Sequence, residues 1–289
     1  MLIDTHCHVH FQAFKNDQDE VIKRTRERGV FMITVGTQQA TSQAAIETAR
    51  AHEGVWAAVG LHPNHLCEQE FWDEEELPQQ RIKTRCEDFD PDYYAALARD
   101  PKCVAIGECG LDYFHLPKHL DREALIAKQK ATTQAHLTLA TDENLPVIIH
   151  SREAFADQYV LLKAAVEAGQ LPRRGVIHCF TGSLEEAMAY IDLGFMVSVT
   201  GIVTFKPKKE QGEFSPMQSV AAKVPLEYLM LETDAPYLAP DPYRGERCEP
   251  WMVEAVAAKV AALRGISVEE VIKTTGENAK RLFGLPANI

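Results

Sequence analysis

Short apolar or β-branched runs recur along the chain, separated by amphipathic, charge-bearing stretches. The runs cover Leu2 to Thr5, Val30 to Val35, Val55 to Leu61, Cys103 to Gly107, Pro146 to Ile149, Gly175 to Ile177, Phe195 to Val199 and Tyr228 to Leu231. Several are continuously apolar, such as Val147-Ile148-Ile149, which predicts parallel strands covered on both faces. Helical periodicity follows most of them, over Asp17 to Arg28, Ser42 to Ala51, Asp121 to Thr141, Ala154 to Ala168, Ser183 to Leu193 and Glu249 to Arg264. Eight β/α units in 289 residues predict an α/β chain of the (β/α)8 TIM barrel type. The rival, a doubly wound open sheet, calls for a Gly-rich phosphate turn after the first strand, and here that strand ends in histidines. No linker or repeat beyond the alternation interrupts the pattern, so residues 1–289 read as a single domain. Ser267 to Leu285 reads as two short helices closing the barrel, with Ser267 as N-cap and Glu270 as its capping-box partner.

Hydrophobic content of 46% is ample for a core, and no apolar run reaches the roughly 18 residues of a membrane span. The N-terminus lacks the basic and apolar regions of a secretory signal, so the expected location is cytoplasmic. Lys and Arg number 30 against 42 Asp and Glu, a net charge of −12. Such a field repels a polyanion, so any phosphate chemistry needs a local source of positive charge. The acidity is concentrated. Residues 67–92 hold ten acids and three bases, a local −7, which leaves −5 for the other 263 residues. This acidic insertion reads either as a solvated surface segment or as a partner-binding flap.

Ligand-type residues fall at the ends of the apolar runs: His6 and His8 after the first, His62 after the third, Glu108 after the fourth. His150, His178 and Asp234 follow the fifth, sixth and eighth. Barrel strands present these ends to one face, where barrel active sites lie. His6 and His8 are two apart, so on an extended strand both imidazoles project to one side and can share an ion. Without His62 the set is four histidines and two carboxylates, enough donors for two divalent metals. The seven cysteines form no CxxC pair. Cys7, Cys109 and Cys179 each neighbour a candidate ligand, and on a strand a neighbour points to the opposite face, so they read as small buried hydrophobes rather than thiolate ligands.

These motifs make the chain recognisable over nearly its whole length. They are Asp4-Thr5-His6-Cys7-His8, Gly60-Leu61-His62-Pro63, Gly107-Glu108-Cys109-Gly110-Leu111-Asp112-Tyr113, Pro146-Val147-Ile148-Ile149-His150-Ser151-Arg152, His178-Cys179-Phe180-Thr181-Gly182 and Leu231-Glu232-Thr233-Asp234-Ala235-Pro236-Tyr237-Leu238. In this order they resemble the TatD-type metal-dependent DNases of the amidohydrolase superfamily. The resemblance implies that His6, His8 and Asp234 hold a first metal, that Glu108 bridges, and that His150 and His178 hold a second. It implies two divalent ions, Mg²⁺ first with Mn²⁺ or Zn²⁺ as alternatives. The implied activity is removal of nucleotides from DNA 3′ ends, with RNA or small phosphate esters as further substrates. Two ions would bring four positive charges to one point and lower the pKa of a bound water. Asp234 is then the acceptor of that water's proton. His62 suits a phosphate contact or general acid for the leaving 3′ oxygen, or a structural His-Pro turn. Arg152 suits a phosphate clamp, or a salt bridge to a carboxylate such as Asp112. Arg247, in the loop Tyr243 to Pro250, either faces substrate or pins that loop.

Three departures from the family pattern stand out. Cys248 takes the place of a usual Asn, His10 that of a commoner Asp, and the segment 67–92 is longer and more acidic than the usual connection. His10 lies past the strand end and reads as a supporting or surface residue. Two other function classes share these features. The same ligands serve an amidohydrolase-type enzyme cleaving an amide, lactone or small ester. A metal-stabilised scaffold recruiting a partner through its acidic flap is the non-enzymatic reading, although no obligate protein partner is evident. A −7 flap beside the site disfavours long duplex DNA. Deleting residues 68–90 is expected to raise activity on longer DNA at low salt, measured against short substrates; unchanged activity refutes the flap reading.

Overall fold

The computed structural model describes residues 1–72, 81–84, 86–207 and 214–287. Part of the acidic insertion, residues 73–80 and 85, lies outside the described residues. In chain order the elements begin with β1 (Leu2–Cys7), α1 (Gln18–Glu27), β2 (Val30–Val35), α2 (Gln39–Ala51) and β3 (Val55–Val59). A two-stranded antiparallel hairpin, β4 (Glu70–Trp72) and β5 (Arg81–Lys83), precedes α3 (Pro91–Ala98). Then come β6 (Cys103–Asp112), α4 (Arg122–Asp142), β7 (Val147–Arg152), α5 (Phe155–Glu167) and β8 (Gly175–Ile177). The chain ends with α6 (Leu184–Asp192), β9 (Met196–Val199), α7 (Pro216–Lys223), β10 (Leu229–Leu231), α8 (Val253–Arg264) and α9 (Val268–Phe283). Apart from the hairpin, the eight strands belong to one sheet in chain order, the (β/α)8 fold the apolar runs predict. Among the described residues no helix is long and apolar enough to cross a membrane.

The chain divides into two compact units, residues 1–34 with 177–289, and residues 35–176. In the first, β9 pairs in parallel with β10, and β1 with β2. Cys7 bridges to Ala235 just past β10, so β1 and the chain after β10 run side by side. The core of this unit includes Ile3, Val30, Met32, Val197, Met230, Val256 and Val260, all nearly inaccessible. In the second unit β3 pairs with β6 and β6 with β7, and all ten residues of β6 are buried. Helix α4 covers this sheet, with Leu137 and Ala140 buried on its inner face.

Two of the ligand-bearing strands carry a local irregularity at the ligand. In β1 the register passes from Asp4–Met32 to Cys7–Thr34, three residues against two. In β6 it passes from Ile106–Val147 to Cys109–Ile149, again with one extra residue. A bulge of this kind re-aims a side chain without ending the strand, and the extra residues fall beside His6 and Glu108. Glu108 is therefore mid-strand rather than at a strand end, because β6 continues to Asp112.

The C-terminal segment differs from the two short helices expected there. It is one 16-residue helix, α9, entered at Ser267, whose Oγ accepts from Glu270 N at 3.1 Å, and left at Gly284 in the left-handed conformation. Continuity has a packing cause. Gly276 lies against the Met1 carbonyl so closely that a Cβ would collide with it, so this glycine serves close approach and not a break.

Gly110 and Gly169 both have positive φ, at 139° and 76°. A Cβ on Gly110 would strike the His150 carbonyl oxygen, whereas one on Gly169 meets nothing within 4 Å. Gly169→Ala should cost about 1 kcal/mol, the backbone penalty alone, and Gly110→Ala about 3 kcal/mol or more. Thermal unfolding of the two variants checks the difference; equal midpoints would refute the collision.

Candidate metal centre

In the first unit the bulged β1 brings His6 and His8 together, with their Nε2 atoms 3.3 Å apart. Asp234 Oδ1 lies 3.7 Å from His6 Nε2 and 3.3 Å from His8 Nε2. The Asp234 backbone is tied to β1, since its N–H donates to His6 O at 2.9 Å, and it adopts a left-handed φ of 63°. A non-glycine residue held there is strained, and such strain persists where surrounding structure fixes a functional side chain. Burial alone would raise the Asp234 carboxyl. The His8 hydrogen bond and the His178, His6 and His8 imidazoles outweigh it and hold the carboxyl below its ordinary value.

His178, which the resemblance assigns to the second ion, stacks its ring on that of His6 at 3.7 Å between centroids. Its Nδ1 donates to Glu232 Oε1 at 3.1 Å, and the same oxygen accepts from Cys179 N at 2.6 Å. A carboxylate on Nδ1 fixes the tautomer and leaves Nε2 with its lone pair for an ion. Ligand atoms of His6, His178 and Asp234 all lie within 4.8 Å of one another.

The second unit holds the triad His62, Glu108 and His150, with the same mutual separation. His150 Nδ1 is 3.0 Å from Glu108 Oε1, and its Nε2 is 3.1 Å from Asp112 Oδ2. Burial disfavours the charged imidazole, but the bonds to Asp112 and Glu108 win and raise its pKa to about 9. Asp112 is itself held by His115, whose Nδ1 lies 2.7 Å from Oδ2 and whose N–H donates to Oδ1 at 2.8 Å. Against burial, the hydrogen bonds of His115 and His150 keep its carboxyl well below the usual range. Thus Asp112 orients His150 as Glu232 orients His178, each an imidazole backed by a buried carboxylate.

His62 caps a short 3₁₀ turn, Pro63–Leu66, and its Nδ1 accepts from Asn64 N at 3.1 Å. Burial pushes its pKa down, so the ring is neutral and carries its proton on Nε2, which faces Glu108 Oε1 at 3.4 Å. That tautomer makes His62 a donor and not a ligand. Arg152 is exposed, and its guanidinium lies 4.2 Å above the ring of Phe114, itself 53% exposed. Arg152 does not form the salt bridge to the Asp112 carboxylate, which is bonded by His115, His150 and the Phe114 and His115 amides. Arg247 makes a two-pronged bond to Asp17, at 2.9 and 2.6 Å, and also binds Ala13 O and Glu249. Its guanidinium is committed to holding the loop. His10 bonds the Thr34 hydroxyl at 2.7 Å and belongs to neither triad. No cysteine is in a disulfide, and burial raises the thiols of Cys7, Cys109 and Cys179, which disfavours thiolate ligation.

Of the supporting residues, Glu232 and Phe114 carry no role in the sequence, and Asp112 only that of an alternative salt-bridge partner for Arg152. Asp112 and Glu232 both sit inside the recognised motifs, four residues after Glu108 and two before Asp234. A carboxylate at such spacing was the available signal. Phe114 gave none, because an exposed aromatic is visible only in three dimensions.

The donor sets fit divalent ions. Ligand bonds of about 2.1 Å on either side of an ion span about 4 Å, so small rotamer shifts bring His6, His178 and Asp234, or Glu108 and His150, within reach of one ion. Mixed imidazole and carboxylate donors accept Zn²⁺, Mn²⁺ or Mg²⁺ and do not choose among them.

Residues 3–284 match the model of a family described as TatD related DNase. An uncharacterized metal-dependent hydrolase of Bacillus subtilis, YabD, is 36% identical over 98% of this chain and 99% of its own. A Pantoea ananatis protein named 3′-5′ ssDNA/RNA exonuclease TatD is 36% identical, covering 94% of this chain and 95% of its own. The crystal structure of YjjV, a TatD homologue of Escherichia coli, matches with a TM-score of 0.81 at 30% identity, over 99% of this chain and 98% of that one. The chain is thus a member of the TatD family of metal-dependent hydrolases, acting on ester bonds.

Proposed function

We propose that this hydrolase is a 3′-5′ exodeoxyribonuclease in which His6, His178 and Asp234, and likewise Glu108 with His150, take part in holding divalent ions. The observation that carries the reading is the pair of carboxylate-backed imidazoles, His178 on Glu232 and His150 on Asp112, each next to a further carboxylate. The exonuclease name of the Pantoea ananatis relative supports the substrate class. Bound divalent ions polarise phosphoryl oxygens and lower the pKa of water to near neutrality.

The chain's own groups supply the rest. Asp234 is ionised at neutral pH, because its carboxyl is held low, and can accept the proton of the attacking water. His62 carries its proton on Nε2 and can donate a hydrogen bond to the leaving 3′ oxygen or to a phosphate oxygen. Glu108, touching both His62 and His150, places that donor beside the ligand group. Phe114 with Arg152 upon it forms an exposed platform of the kind on which unpaired bases stack, with the guanidinium available to a phosphate. A platform of this type suits a single strand better than a duplex.

Four substitutions separate the roles. Glu108→Ala and Asp234→Ala are expected to abolish metal-dependent release of mononucleotides from 3′-labelled single-stranded DNA; survival of activity in both refutes the site. His62→Ala should lower kcat by about 100-fold with unchanged metal content, because His62 donates and does not ligate. Loss of metal in that variant would make it a ligand instead. Phe114→Ala should raise KM for oligonucleotides about tenfold, the worth of one stacked base, with kcat unchanged. Parallel assays on amide and lactone substrates test the amidohydrolase alternative, which gains if they turn over and DNA does not.

A further inference from the structure

The neck of the acidic insertion brings two thiols together. The hairpin pairs Glu70 with Lys83, Phe71 with Ile82 and Trp72 with Arg81. One step further back, Thr84 N donates to Gln69 O at 3.0 Å and Gln69 N to the Thr84 hydroxyl at 2.9 Å, which ties the base of the hairpin. The next backbone bond, Glu87 N to His65 O at 2.9 Å, is out of register by one residue. Between these bonds Cys86 lies beside the Leu66–Cys67 peptide. Cys86 Sγ donates to Leu66 O at 3.2 Å, and Cys86 has a left-handed φ of 55°.

The surroundings make the two thiols unequal. Both line one cavity of about 420 Å³, with Leu125 and Lys128 of α4. Cys86 is exposed and receives a hydrogen bond from Lys128 Nζ at 3.8 Å, the ammonium that also pairs with Asp88 at 2.7 Å. Cys67 is buried, and burial together with the nearby Cys86 raises its thiol. Exposure beside a cation marks an attacking thiol, and a buried neighbour marks the group that resolves it.

We propose that Cys67 and Cys86 are a reversible redox couple that covalently closes the neck of the acidic insertion under peroxide. The Cys86 thiolate attacks one peroxide oxygen, the O–O bond breaks, and the departing hydroxide takes a proton to become water. Cys86 is left as a sulfenic acid. The Cys67 sulfur then attacks the Cys86 sulfur, its proton leaves with the expelled hydroxide as a second water, and the S–S bond forms. The two sulfurs together lose two electrons and the peroxide gains them. A small dithiol reverses the change. The couple owes nothing to the metal triads, so it stands or falls apart from the nuclease reading.

The purified full chain is treated with hydrogen peroxide, quenched by alkylation under denaturing conditions, and examined by thiol titration and peptide mass spectrometry. The expected result is a fall from seven titratable thiols to five, a linked peptide pair carrying Cys67 and Cys86, and full return with dithiothreitol. In Cys67→Ser, or Cys67→Ala if the serine misfolds, Cys86 should stop at a sulfenic acid trapped by dimedone. Cys86→Ser should keep all of its thiols. Linkage through any other cysteine, oxidation of Cys86→Ser at the rate of the unmodified chain, or seven thiols surviving equimolar peroxide overturns the proposal.

Discussion

The unit holding both chain ends is organised around one buried carboxylate, Asp4. Thr233 donates to it twice, from its N–H at 2.9 Å and its hydroxyl at 2.6 Å, and His6 N donates a third bond at 3.3 Å. Asp4 is fully buried, and that burial pushes its carboxyl well up despite these bonds. Burying a polar group is tolerable only when its bonds are made, so the three donors have little freedom to move. Two of them flank ligands: His6 is one, and Thr233 precedes Asp234. One side chain thereby fixes the spacing of residues more than 220 positions apart in sequence.

With the backbone so fixed, what remains is the aim of each ring. A histidine has two nitrogens and a free ring torsion, and a ligand needs one nitrogen bare and pointed. Glu232 settles both for His178 by taking its Nδ1–H, and Asp112 fixes the ring torsion of His150, whose Nδ1 is turned to Glu108. For Asp112 the support extends outward, since His115 and two backbone amides hold the carboxylate itself. His62 shows the opposite outcome from the same rule. A backbone N–H occupies its Nδ1, which sends the proton to Nε2 and turns a ligand-type residue into a donor. Residue type alone does not separate ligand from acid; the neighbour of the second nitrogen does.

The strands were legible because parallel strands buried on both faces are written as unbroken apolar runs. The ligands were legible because polar residues at the ends of such runs have no other reason to be buried. Helix α7 carried its start in plain view, as Ser215-Pro216 with Gln218 completing a capping box, yet its eight residues are too few for periodicity to register. Helix α3 and the β4–β5 hairpin were hidden by charge. Acidic runs suggest solvated loops, although Asp90 and Asp92 stand at a helix N-terminus, where carboxylates are favoured. The mid-strand position of Glu108 was unreadable because a bulge leaves no mark in composition. The role of Arg247 stayed open for a related reason. A guanidinium's partners here, Asp17 and Ala13, lie some 230 residues away in sequence.

Charge then acquires a position as well as a sum. An overall −12 opposes any polyanion at long range, and the pairs Arg247–Asp17 and Arg24–Glu249 consume cations that could otherwise meet phosphate. Lys128 likewise spends its charge on Asp88 and Cys86. Arg152 is different, because its stacking on Phe114 leaves its N–H groups turned to solvent chemistry rather than to an acid. On the proposed reading, attraction for substrate therefore comes, among the described residues, from bound ions together with Arg152. Such an enzyme neutralises few phosphates at once, and since grip on a strand grows with the number neutralised, it gains little by lying along the nucleic acid. A terminus, which needs only the reacting phosphate and a stacked base to be held, is the substrate this distribution of charge can bind.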